Sequence, residues 1–148
     1  MTTNRSVGCA TVLLVILTGV RAALPAFASP PSPVDEIVAR GDQSCARGQL
    51  REALTAYQLA VGKEAAHFGA LCGLARIESE LGEEAPGEER RRLVASAVEH
   101  ARAAVKAAPE NAHGHVWLAV ALRLQAQNEG PKTRAGLWRE IRSELDRA

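Results

Sequence analysis

Four histidines, His67, His100, His113 and His115, are the side chains best suited to acid–base or metal chemistry in this chain. Their spacing works against both. His113 and His115 stand two apart, which on a helix points them to nearly opposite sides, so they do not share a metal. His115 is expected to pack beside the turn of Trp117 or to meet solvent. Glu99 and His100 are neighbours in sequence but not on one helix face. No nucleophile elbow, HExxH pair or phosphate loop occurs. Cys45 and Cys72 lie in no CxxC or zinc-like cluster. The residues therefore predict no enzyme, no cofactor and no metal. The run Glu88-Glu89-Arg90-Arg91-Arg92 reads best as a helix start, with acids at the positive end of the dipole and Glu88 or Glu89 paired with Arg92.

Alanine supplies 28 of the 148 residues, while aromatics are limited to Trp117, Trp138, Tyr57, Phe27 and Phe68. Such a chain suits helices whose backbones approach closely, and it lacks the β-branched and aromatic residues of a sandwich or barrel. A formal charge of +1 excludes the basic footprint of a nucleic-acid binder.

The N-terminus reads as an export signal. Arg5 is followed by the apolar run Ala10–Val20, too short for the ~20 residues of a membrane span. Pro25 and Ala26-Phe27-Ala28 then supply a helix breaker and a small-x-small cleavage pattern. Cleavage is expected after Ala28, so residues 1–28 are signal peptide and the membrane is met only during export. The mature chain would be periplasmic or secreted, with 16 basic against 17 acidic residues. Residues 29–33 (SPPSP) form a lead-in, and 34–148 the folded domain.

Punctuation divides that domain into helices at about Val34–Arg47, Leu50–Val61, Ala66–Leu81 (ended by Gly82), Glu88–Ala108, Asn111–Gln127 and Lys132–Ala148, with Glu83–Gly87 as a loop. The second helix of each pair carries a triplet spaced four and three: Ala53-Tyr57-Ala60, Ala97-Ala101-Ala104 and Ile141-Leu145-Ala148. First helices carry small residues at Gly41, Ala75 and Ala119. The simplest account is a paired-helix unit of 34 residues with ten extra residues in later copies, falling around Glu83–Arg92 and Gln127–Arg139. That unit length is the tetratricopeptide spacing. The fold expected is all-α, a TPR-like α-α superhelix of about three helix pairs with units near 34–67, 68–111 and 112–148.

The stretches EERRRLVASAVEHARAA (88–104), AHGHVWLAVAL (112–122) and IRSELDRA (141–148), in this order, resemble tetratricopeptide proteins of the regulator of microtubule dynamics type and their bacterial relatives. The resemblance covers roughly residues 38–148. The family's link to microtubules does not carry over, since an exported chain would not meet tubulin.

Arrays of this kind bind partners on the concave face lined by first helices. Counting along those helices gives a candidate groove of Asp35, Val38, Asp42 and Cys45, then Cys72, Arg76 and Ser79, then Val116, Val120 and Arg123. The function expected is that of an exported, non-catalytic protein-binding scaffold that holds a protein or peptide. The alternative is a truncated array that dimerises through its last helix, with Trp138, Ile141 and Leu145 as the candidate face. Cys45 and Cys72 sit on parallel helices with an offset of ~10 Å. That exceeds disulfide reach, so no Cys45–Cys72 bond is expected.

Overall fold

A computed structural model describes residues 31–148; the apolar leader and the cleavage position at Ala28 lie outside the described residues. Six helices follow one another: α1 (Pro33–Ala46), α2 (Leu50–Lys63), α3 (Phe68–Glu84), α4 (Gly87–Ala107), α5 (Ala112–Gln127) and α6 (Pro131–Leu145). No strand occurs among the described residues.

Local chemistry sets the ends. The last residue of the expected lead-in, Pro33, belongs to α1, and the one before it, Ser32, is its cap. Ser32 caps the helix by accepting from the Asp35 amide at 3.1 Å, the Asp35 carboxylate accepts the Ser32 amide at 2.9 Å, and Pro33 occupies the first turn. Gly48, with φ +74°, reverses the chain after α1 in a conformation that costs other residues a Cβ clash. Asn111 caps α5, its Oδ1 accepting from the His113 amide. The α3 cap is His67, whose Nδ1 accepts from the Ala70 amide at 3.2 Å.

In the second pair the ten extra residues lengthen the helices rather than form a loop, while α5 and α6 have only 16 and 15 residues. α1 and α2 have 14 residues each, whereas α3 has 17 and α4 has 21. Gly82 does not end α3. It lies buried inside the helix, where a Cβ would meet Val94 Cγ2 at 3.1 Å. Its absent side chain is what allows the lengthened α3 and α4 to lie together.

The helices form two layers, α1/α3/α5 and α2/α4/α6. Each helix packs on its successor, and the first helices also touch, α1 on α3 and α3 on α5. Among the described residues α2, α4 and α6 make no such backbone approach to one another. The alanine seams sit where those approaches occur. Ala53, Ala60, Ala97, Ala101 and Ala104 are completely buried. The third triplet departs from this pattern: Ile141 is in the core with Ala97, Ala101, Leu118 and Leu122, but Leu145 closes α6 and is 55% exposed.

No helix of the described residues is long and apolar enough to cross a membrane.

Candidate functional site: a groove beside Tyr57

Tyr57 reaches from α2 between the first helices. Its ring lies against Gly41 of α1 and Gly73 of α3, where added Cβ atoms would stand 2.7 and 2.6 Å from ring carbons. Two glycines therefore make the slot for one aromatic side chain. The phenol emerges at the far edge and donates to Asp42 Oδ1 at 2.6 Å. Burial first, and then that carboxylate, raise the phenol's pKa above its usual value, so the bond is made by the neutral phenol.

Beside this ring lies a hollow of about 200 Å³ lined by Val38 and Asp42 of α1, Tyr57 of α2, Gly69, Cys72, Gly73 and Arg76 of α3, and His113 and Trp117 of α5. All three first helices contribute. The Trp117 indole Nε1 donates to His113 Nε2 at 3.0 Å, and the rings meet edge to face with centroids 6.1 Å apart. This bond requires His113 Nε2 to be unprotonated, leaving Nδ1 as the hydrogen-bearing atom. Trp117 is half-buried and packs against two core clusters, so one side of the indole is anchored. On α3, Arg76 Nε donates to Glu80 at 2.8 Å.

Of the expected groove residues, Val38, Asp42, Cys72 and Arg76 come together here. Asp35 stands at the start of α1, where it accepts from Ser32 and from His67 Nε2 at 3.0 Å. The Ser32 amide first, and then His67, hold its carboxyl below the usual range. Cys45 is half-buried against the Tyr57 cluster, with its sulfur 4.0 Å from the phenol oxygen. Ser79 is not a groove residue: it is buried, and its hydroxyl donates to the Ala75 carbonyl at 2.7 Å. On α5 the hollow takes His113 and Trp117 in place of Val116, Val120 and Arg123. Val116 is 38% exposed, Val120 is half-buried, and Arg123 pairs with Glu83 at 2.6 Å. Gly73 and the His113–Trp117 pair escaped sequence reasoning. Their signal is geometric: Gly73 precedes the small-residue position Ala75 by two residues, and its role depends on a ring from another helix.

Cys45 and Cys72 are both free thiols. Burial pushes the Cys72 thiol up to about 11, so it stays protonated near neutrality.

The other histidines hold helices together. His100 Nδ1 donates to Glu78 at 2.7 Å, and Ser96 donates to the second oxygen of that buried carboxylate at 2.7 Å, joining α4 to α3. His115 is buried rather than set beside the Trp117 turn. Its Nδ1 faces Glu144 at 2.6 Å and its Nε2 faces the Pro109 carbonyl at 2.7 Å. Two acceptors call for two N–H donors, which is the imidazolium. The Pro109 carbonyl first, then Glu144, raise its pKa above the ordinary histidine value. At the start of α4, Glu88 pairs with Arg91 and Glu89 with Arg51 at 4.0 Å, rather than either with Arg92. Among the described residues no three His, Cys, Asp or Glu side chains converge as a metal site.

Stacked helical pairs with a hollow bounded by three first helices define an all-helical, repeat-like protein. The chain belongs to the family described as regulator of microtubule dynamics protein 1-3, whose model matches residues 34–148. No curated protein matches it.

Proposed function

We propose that this chain is an exported, non-catalytic, TPR-like scaffold that holds an extended segment of a protein partner in the groove between α1, α3 and α5. The observation that carries the reading is the convergence of first-helix residues around Tyr57. Asp42 offers an acceptor, Arg76 keeps guanidinium N–H groups beyond the one bound to Glu80, and Trp117 offers an apolar ring. Such a mixture suits the alternating amides, carbonyls and side chains of a peptide. Membership of a family named for regulating microtubule dynamics supports an interaction role for a helical protein. The tubulin partner is not carried over, because the Arg5-led apolar run and Ala26-Phe27-Ala28 read as an export signal.

The groove is tested by selecting peptides from a random library on the purified protein and mapping the best by amide chemical shifts. Shifts centred on Val38, Gly69, Gly73 and Trp117, with loss of affinity in Arg76→Glu, are expected. Shifts confined to another surface sink the reading. Export is tested separately: intact mass of the protein from the extracytoplasmic fraction should give an N-terminus at Ser29, and full-length chain retained in the cytosol overturns it.

A further inference from the structure

The outward face of α6 has a chemistry unlike the groove's. Trp138 is 51% exposed and Leu145 is 55% exposed. They stand seven residues apart, two helical turns or about 10 Å along one stripe. The indole rises between two hollows. One, of about 590 Å³, is bounded by Arg123, Ala126, Gln127 and Arg134; the other, of about 320 Å³, by Arg139, Arg142, Ser143 and Asp146.

The cations around this indole are unequally engaged. Arg123 pairs with Glu83, and Arg134 donates to the Ala126 and Glu129 carbonyls. Arg139 and Arg142 form no ion pair with any described residue. The carboxylates of α6 are largely taken: Glu140 faces Arg102 at 2.9 Å, and Glu144 is buried with His115 and Arg147. Among the described residues that line the second hollow, Asp146 is the one carboxylate beside Arg139 and Arg142. The stripe is thus apolar, two turns long and flanked by an excess of positive charge.

We propose that this face docks an acidic amphipathic helix of a protein partner. Apolar side chains spaced two turns apart would enter the hollows on either side of Trp138, and flanking carboxylates would meet Arg139 and Arg142. The indole, an amphipathic ring with few rotamers to lose, is the anchor. Charge decides the occupant. A second copy pairing through the same face would bring together two Arg139/Arg142 pairs with one Asp146 from each copy, an excess of positive charge on both sides. A lipid surface would find two protruding apolar side chains where interfacial helices present a full apolar face.

The test uses two labelled helical peptides with the same leucine stripe, one flanked by glutamates and the other by lysines, titrated by fluorescence anisotropy onto the purified chain. The glutamate peptide is expected to bind tighter by about tenfold or more, Trp138→Ala to weaken it by about tenfold, and Arg139→Glu/Arg142→Glu to reverse the preference. All three positions are exposed, so unchanged circular dichroism and melting show that the variants remain folded. Equal binding of both peptides, or a preference that survives the reversal, overturns the proposal. So does a Trp138-dependent dimer in sedimentation equilibrium with no peptide binding. Trp138-dependent binding to phosphatidylserine vesicles without peptide binding overturns it too.

Discussion

The Cα of Gly73 lies so close to the Tyr57 ring that a methyl group added there would stand 2.6 Å from Cε1 and Cζ. The ring cannot retreat, because Gly41 touches it with the same intimacy from α1. Gly73→Ala should therefore destabilise the protein by about 2 kcal/mol through overpacking. Gly136→Ala, on an open stretch of α6, should instead stabilise by about 0.5–1 kcal/mol through helix propensity. Urea melts of both variants check the pair. A neutral Gly73→Ala would mean that the slot is not rigid.

The Tyr57 hydroxyl adds a directional bond to this packing. Tyr57→Phe keeps the ring in its slot and removes the donor to Asp42, which can turn to water. The expected loss is about 1 kcal/mol. Tyr57→Ala, which empties a fully buried position, should cost about 3–5 kcal/mol. Chemical denaturation separates the two, and near-equal losses would contradict the packing role of the ring.

His115 makes stability depend on pH in a stated direction. Its folded pKa is raised by Pro109 and Glu144 above an unfolded value of about 6.5. The contribution is therefore complete below about pH 6.5 and is lost as pH rises through the folded value. Melting temperature should fall across that interval, and the fall attributable to this residue should disappear in His115→Gln. Glu144→Gln should cost about 2 kcal/mol below the transition and less above it. A His115→Gln variant with the full pH dependence of the parent would refute the assignment.

The two free thiols should differ in rate. In the chain from Ser29 to Ala148, Cys45 should react with a thiol reagent near pH 8 well before Cys72, which is buried and has its thiol at about 11. Denaturation should equalise them. Finding neither thiol free before reduction would show that they pair.

Ile141 and Trp138 lie three residues apart, about 60° around α6, with Ile141 turned into the core and Trp138 at its solvent edge. Ile141→Ala should cost about 2–4 kcal/mol, since it opens a cavity beside Ala97 and Leu122. Trp138→Ala should cost about 1 kcal/mol or less, because half the side chain already meets water. Thermal melts rank the two.

Much of the architecture was legible from local chemistry. Helix periodicity, Asn111 and Gly48 placed the turns, and the triplets Ala53-Tyr57-Ala60 and Ala97-Ala101-Ala104 marked backbones that touch. These features read from sequence because capping and close packing depend on residue types a few positions apart. Other features had no such signature. Gly82 looked like a stop and is a contact, because its meaning depends on Val94 across the pair. Ser79 and Ile141 looked available and are buried, since a helix's phase against its neighbours is set by how those neighbours pack. His115 looked set beside the Trp117 turn or in solvent, and α6 instead brought Glu144 to it across 29 positions. By itself the sequence determined six helices, their order and their close-packed seams. Only the tertiary structure decided which face of each helix water can reach, and so placed Tyr57 between two glycines, because burial is a property of the assembled layers.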